Sequence, residues 1–114
     1  MYHHKVIPAL LEAIQDPVLR NQLHALDTLD CFMEFIEQKT ISPYIQSILD
    51  CVFVIFMKED IPVSLRFSIL STISELADSS KDNFKPFAEK CLEVLFNFFV
   101  NIYSKKMFGN LYGQ

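Results

Sequence analysis

Apolar side chains recur at every third or fourth position along most of this chain, with polar residues between them. That spacing places the apolar positions on one face of an α-helix, which is typical of amphipathic helices around a shared core. The pattern predicts an all-α fold of about five helices, which cover residues 5–15, 18–37, 42–57, 62–78 and 85–104.

Proline residues set several of the predicted boundaries. Asp16 and Pro17 end the first helix, because the residue before a proline avoids the helical region of backbone space. Ser42 is the predicted N-cap of the third helix, with Pro43 as its first helical residue. Pro62 begins the fourth helix, and the connections are short enough for consecutive helices to pack antiparallel.

The predicted helical faces differ in polarity. The third helix is apolar over most of its circumference, so we expect it to be covered on more than one side. The eleven phenylalanines are expected mainly in the core. On the second helix, one acidic stripe is predicted to face solvent: Asp27, Asp30, Glu34 and Glu37. On the fourth helix, the residues predicted to face inward are Val63, Phe67, Leu70, Ile73 and Ala77.

The fifth helix carries aromatic residues on several sides, more than one neighbouring helix pair would cover. Lys105 and Lys106 suit its C-terminus, Gly109 is expected to break it, and residues 110–114 are expected to fray. The sequence therefore predicts that the chain is part of a longer array or self-associates through this end.

The chain also repeats itself. Leu23–Leu29 matches Phe67–Ile73 at an offset of 44, and Ile41–Tyr44 matches Phe84–Phe87 at an offset of 43. A helical period of about 40 to 47 residues is typical of HEAT and armadillo solenoids. We expect a right-handed α-solenoid with helices in the order B-A-B-A-B. Within a single segment, 1–114, the predicted parts are a partial repeat at 5–15, repeats at 17–58 and 61–105, and a tail at 106–114.

The composition of the chain argues against several classes of function and location. A net charge of −4 argues against a nucleic-acid binder, which usually shows a basic face. Three widely spaced cysteines do not form a disulfide framework, which favours a reducing compartment. The longest apolar run, Val52–Met57, is too short to span a bilayer, and no secretory leader is visible at the start. These features predict a soluble, intracellular protein without membrane contact.

No catalytic, cofactor or metal motif is recognisable in the sequence. His24 and Cys31 could share a helical face, but two ligands do not make a zinc site. The cysteines are expected to be small buried residues, and Cys91, near a helix start, could be somewhat acidified. Carboxylates on exposed helical faces are not expected to have raised pKa values. We therefore expect no enzyme, although a closed helical bundle acting as an enzyme or carrier is an alternative.

Several segments resemble a known family. Pro17–Arg20 and Pro62–Arg66 are similar to the start of HEAT A helices, and Val6–Ile14 is similar to a B-helix opening in the importin-β family of transport receptors. Ser74–Phe87 resembles a segment from the central repeats of one branch of that family. The likeness spans about residues 5–104, but the chain lacks Trp and a long acidic loop, features that serve cargo and Ran binding in such receptors.

The resemblance implies a segment of a nuclear import receptor that works in the cytoplasm and nucleus. Such receptors bind basic cargo, the Phe-Gly repeats of nucleoporins, and the Ran GTPase, whose GTP form releases cargo. A HEAT scaffold of another kind, such as a phosphatase, kinase or chromatin platform, is the alternative. Likeness to HEAT repeats does not by itself indicate which of these functions a chain has.

One polar surface is a candidate for cargo binding. Stacked third and fifth helices would set five polar residues side by side, and their carboxylates would attract Lys or Arg of a partner. The alternative is an ordinary solvated face of two helices. The five residues are Gln46, Asp50, Glu89, Glu93 and Asn97.

Overall fold

A computed structural model describes the backbone of residues 2–112 and the side chains of residues 2–105. Within residues 2–112 the chain forms helices and no strand, which confirms the predicted all-α class. Two short 3-10 turns, Ser42–Tyr44 and Lys81–Phe84, join some of the helices. The α-helices are α1 (His3–Ile14), α2 (Leu19–Phe35), α3 (Gln38–Ile41), α4 (Ile45–Phe56), α5 (Val63–Ser80) and α6 (Lys85–Tyr112).

The predicted end of the first helix and the predicted start of the fourth lie close to those observed for α1 and α5. The helix α1 ends at Ile14, and the Asp16 carboxylate then accepts a hydrogen bond of 2.7 Å from the backbone N–H of Val18. This side-chain turn contains Pro17 and leads into α2. Pro62 has an extended backbone and precedes α5 as its N-cap residue.

Ser42 does not cap a helix as predicted. An additional turn of helix, α3, occupies Gln38–Ile41, and Ser42 follows it with a helical backbone. The Ser42 hydroxyl donates a hydrogen bond of 2.6 Å to the Gln38 carbonyl oxygen. A serine in helical conformation bonds back to the preceding turn in this way, so it has no extended conformation from which to cap α4.

The last two helices extend beyond their predicted ends, by two residues for α5 and by eight for α6. The helix α5 continues to Ser80, and the break comes at Lys81, which has a positive φ of 49°. The helix α6 passes through Gly109 and ends at Tyr112, so neither the break nor fraying at residues 110–112 is found. One interior glycine costs a helix about 1 kcal/mol, which is too little to end a long one. Gly113 and Gln114 lie outside the described residues.

The chain forms two compact units, residues 1–84 and residues 85–114. In the first unit, α2 packs against both α1 and α5, and α4 packs against α5 and α1. The hydrogen bond from Gln22 Nε2 to the Ile14 carbonyl closes the α1–α2 hairpin at 2.9 Å. Arg66 closes the α4–α5 hairpin, where its Nε donates to the Phe56 carbonyl at 3.1 Å and its Nη2 to the Lys58 carbonyl.

The two hairpins lie side by side, with α1 parallel to α4 and α2 parallel to α5. His3 bonds to Tyr44, and Cys51 further along α4 bonds to Leu11 further along α1, so α1 and α4 run in the same direction. The pairs Asp30–Thr72 and Met33–Ser79 show the same for α2 and α5. In an up-and-down bundle every neighbouring pair is antiparallel, so this unit has a different topology.

The helix α4 is covered on more than one side, as predicted. The segment Gln38–Phe56 is long and apolar enough to meet the length and composition of a membrane span. Packing of α4 inside the first unit accounts for part of this apolar character. The buried residues of α4 are Ile45, Ile48, Leu49, Val52, Ile55 and Phe56.

The buried face of α5 agrees with the prediction only in part, since Ile73 is buried as expected. Val63 and Phe67 are 65% and 67% exposed, although both were expected to face inward. The chain has apolar residues on two faces of α5, and helical spacing alone does not decide which face the neighbours cover. The residues buried on α5 are Leu65, Ile69, Thr72, Ile73, Leu76 and Ser80.

In the second unit, α6 retains many exposed apolar side chains. Cys91 and Phe98 are buried. Uncovered apolar residues were expected on this helix, and they are found there: Leu92, Phe96, Phe99, Val100, Ile102 and Tyr103.

Candidate protein-binding surfaces

The predicted cargo-facing residues on α4 form a small polar pair. Gln46 and Asp50 are one helical turn apart, and both are exposed. Gln46 Nε2 donates a hydrogen bond of 2.7 Å to Asp50 Oδ1. The second oxygen of that carboxylate can still accept a donor from a partner.

The predicted residues on α6 share one shallow depression. Glu89, Glu93 and Asn97 follow each other at four-residue intervals, are all exposed, and border a space of about 370 Å³. Lys90 borders the same depression and offsets part of its negative charge. Gln46 and Asp50 belong to the first unit and these three residues to the second. That the five form one patch stays a prediction.

The acidic stripe predicted on α2 is interrupted at Asp30. Asp27, Glu34 and Glu37 are exposed, but Asp30 is only partly accessible and lies against α5. The Thr72 hydroxyl donates a hydrogen bond of 2.7 Å to Asp30 Oδ1. This residue therefore belongs to a helix–helix contact.

Burial raises the pKa of Asp30 above its ordinary value. The nearby charges of Asp27 and Glu75 raise it further, whereas the hydrogen bonds from Thr72 and Ser71 lower it. The expectation that no carboxylate would have a raised pKa is wrong for this residue, because the sequence pattern placed it in solvent.

The three cysteines lie in three environments. Cys31 is exposed, Cys51 is partly buried and Cys91 is buried, so the expectation that all three are buried is wrong for Cys31. Burial raises the pKa of Cys91, with a smaller opposing effect of Lys90, so its predicted acidification is wrong. Burial also raises the pKa of Cys51, whose thiol donates a hydrogen bond of 3.5 Å to the Leu11 carbonyl. Within the described part of the chain, no group of three or more His, Cys, Asp or Glu residues could hold a metal ion.

The phenylalanines are not uniformly in the core. Phe56, Phe84 and Phe98 are buried, but four others are exposed: Phe35, Phe67, Phe96 and Phe99. Phe96 and Phe99 border an open apolar concavity of about 430 Å³ on α6, together with Val100, Ile102 and Tyr103. Such exposed apolar surface marks protein contacts in many folded proteins.

A second concavity lies in the first unit, and the sequence did not predict it. It measures about 400 Å³ and is mainly apolar. The N-terminus of α1, the last turn of α2 and the segment leading into α3 contribute its lining: Tyr2, His3, Phe32, Phe35, Ile36, Glu37 and Thr40. The available clue was Phe32 and Phe35 one turn apart at a helix end, beside the acidic Glu37.

Comparison of the chain with protein-family models, with curated proteins and with solved structures gives no significant match.

Proposed function

We propose that this chain is a protein-binding scaffold segment, built as a right-handed α-solenoid of HEAT class with two full repeats and a partial one. The supporting observation is that three side-chain hydrogen bonds between the two hairpins have similar sequence separations. That separation is 41 residues for His3–Tyr44, 42 for Asp30–Thr72 and 46 for Met33–Ser79. It is close to the offset of the internal repeat, as expected when equivalent helices stack in parallel.

The scaffold role is supported by where the apolar surface remains. In a solenoid each repeat shields its neighbours, and a terminal repeat without a polar cap leaves apolar side chains exposed. Phe96 is 68% exposed and borders an apolar concavity. A neighbouring repeat or a second copy of the chain could bind there.

The more specific role that we propose is nuclear import. It rests on the sequence resemblance to the importin-β family, most of all to the karyopherin beta-3 branch. In that role the polar residues Asp50, Glu89 and Glu93 would face basic cargo, and the scaffold would act without enzyme activity or cofactor. Partners would be Ran and Phe-Gly nucleoporins as well as cargo.

A charge-reversal experiment tests the cargo surface. We call the longer protein to which the proposed segment would belong the parent protein. With the substitutions Asp50→Lys, Glu89→Lys and Glu93→Lys, it should bind an immobilised basic cargo at least tenfold more weakly than without them. A matched control reverses three other exposed carboxylates, Glu12→Lys, Asp27→Lys and Glu34→Lys. Equal loss in the two variants would indicate general charge attraction and would contradict the patch.

A pull-down tests the import role separately. The parent protein should retain a Phe-Gly nucleoporin fragment, and should release its cargo when Ran loaded with GTP is added but not when Ran is loaded with GDP. If the parent retains neither Ran nor the nucleoporin, the import role is wrong, and a scaffold of another intracellular complex takes its place.

A further inference from the structure

The concavity of about 400 Å³ in the first unit combines aromatic rings with one acidic group. Tyr2, Phe32 and Phe35 supply three rings, and Glu37 supplies the carboxylate. Phe35 is 84% exposed, so its ring face is in water when the cavity is empty. An aromatic ring presents a negative face that attracts cations, and a nearby carboxylate strengthens that preference.

Glu37 is the acidic residue among those that line this cavity. Among the residues that line the cavity, His3 has a lowered pKa, caused first by burial and then by the positive charges of the N-terminus and of His4. His3 is therefore mainly neutral at pH 7, where its Nδ1 shares a hydrogen bond of 2.9 Å with the Tyr44 hydroxyl. The Glu37 carboxylate would repel an anion and attract a cation.

We propose that this aromatic-acidic pocket, defined by Tyr2, Phe32, Phe35 and Glu37, binds an arginine side chain presented by a basic partner. The guanidinium group is planar and weakly hydrated, stacks on aromatic faces and pairs with carboxylates in a fork geometry. A lysine ammonium is compact and strongly hydrated, and loses more hydration in a mainly apolar cavity. The net charge of −4 on the whole chain favours approach of such a partner.

This inference does not depend on the solenoid or on nuclear import. The pocket lies within the first unit, where Phe32 and Phe35 belong to α2, Glu37 follows that helix and Tyr2 precedes α1. Failure of the import role would leave it intact, and its own failure would leave the scaffold role intact.

An NMR titration tests the pocket with the whole chain. Nitrogen-15-labelled protein is titrated with N-acetyl-arginine amide in the millimolar range at pH 7, and the backbone amides of Ile36 and Thr40 report binding. N-acetyl-citrulline amide is the neutral isostere of the probe, and N-acetyl-lysine amide carries the same charge in another shape. We expect saturable shifts with the arginine probe, at least threefold weaker binding of the lysine probe, and no saturable shift with citrulline.

Two variants measure separately how much the Glu37 charge and the Phe35 ring contribute to binding of the arginine probe. Glu37→Gln should weaken binding of the arginine probe about threefold, because an exposed ion pair contributes about 0.2–1 kcal/mol. Phe35→Leu should weaken it about twofold to fivefold, as expected for an exposed cation–π contact of about 0.5–1 kcal/mol. Matched controls are Glu12→Gln, near the opposite end of α1, and Phe67→Leu, an exposed phenylalanine on α5.

The controls should bind the probe as the unmodified chain does. Since Phe35 and Glu37 are exposed, their variants should keep the circular dichroism spectrum and melting curve of the unmodified chain. Citrulline binding equal to arginine binding would overturn the proposal, as would unchanged affinity in Glu37→Gln. Lysine binding as tight as arginine binding would overturn the assignment to arginine.

Discussion

Asp30 shows how one side chain can belong to a helix contact although its sequence neighbours face solvent. It lies on α2 between Asp27 and Glu34, which are exposed, yet the Thr72 hydroxyl of α5 reaches its Oδ1 at 2.7 Å. Burial disfavours its charged form, and the hydroxyl contacts compensate only in part, so its pKa stays above the ordinary value. The folded chain therefore holds a proton on Asp30 at pH values where the unfolded chain has lost it.

Replacing Asp30 with asparagine should change how stability depends on pH. A folded-state pKa raised above the unfolded value means that stability falls as pH rises from about 3.8 through the folded pKa. Asparagine does not titrate, so Asp30→Asn removes this loss of stability. The difference in the free energy of unfolding, variant minus unmodified chain, should therefore become more positive as the pH rises above about 4. The change should stay below about 1 kcal/mol, since the carboxylate is only partly buried. Urea denaturation at pH 3 and pH 7 measures it.

Asp27→Asn is the control for this experiment, because Asp27 is exposed on the same helix. Its difference from the unmodified chain should vary less between the two pH values. An Asp30→Asn difference that is flat or becomes more negative with rising pH would mean that the carboxylate is solvated in the folded chain.

Replacing Thr72 with valine should destabilise the chain by about 1 kcal/mol at pH 7, the typical contribution of one hydrogen bond. Thr72 is fully buried, and its hydroxyl lies within 2.7 Å of Asp30 Oδ1 and 3.0 Å of the Ser68 carbonyl oxygen. Valine keeps the shape but cannot donate, so the pKa of Asp30 should also rise further. Urea denaturation gives the first quantity and carboxyl NMR the second. Thr28→Val, at an exposed threonine that bonds only back along α2, should cost less than about 0.5 kcal/mol.

At the scale of the elements, the sequence predicts where helices lie better than which way they face. Proline chemistry and apolar spacing located the starts of α2 and α5 within about one residue. The extra helix α3 and the position of Ser42 could not be foreseen, because a single turn leaves no periodic pattern. The exposure of Val63 and Phe67 could not be foreseen either, since it depends on which face of α5 its neighbours cover.

The rotation of α4 about its own axis, which decides which of its residues are buried, gives a prediction at this scale. Ile48 is fully buried, whereas Val54 on the same helix is largely exposed. Ile48→Ala should lower the free energy of unfolding by about 2–5 kcal/mol, because it removes buried methyl groups and leaves a cavity. Val54→Ala should change it by less than about 0.5 kcal/mol. Thermal or urea denaturation compares the two variants. Similar losses would mean that α4 is rotated relative to the described structure.

At the scale of the whole molecule, that the chain is built from repeats stays a prediction, which the spacing of contacts between its helices supports. An offset of 43 to 44 residues in the sequence is accompanied by contacts between α1 and α4 and between α2 and α5 at nearly the same separation. Helical spacing was enough to predict that the five candidate cargo-facing residues are exposed, as they are. Helical spacing says nothing about whether they lie together, so the patch itself stays a prediction. The aromatic-acidic pocket was missed because its residues come from helix ends, where periodicity carries no information.

The exposed apolar surface of α6 gives the last prediction. Phe96 and Phe99 are largely exposed and border the same apolar concavity. Burying such surface stabilises an association by about 25 cal/mol per Å² of apolar area, so the chain should self-associate as its concentration rises. Phe96→Gln with Phe99→Gln should shift the population toward monomer, which sedimentation velocity at several concentrations measures. Phe67→Gln, an equally exposed phenylalanine on α5, should not. If the α5 variant reduces association as strongly as the α6 variant, the contact is general hydrophobic aggregation and not a property of α6.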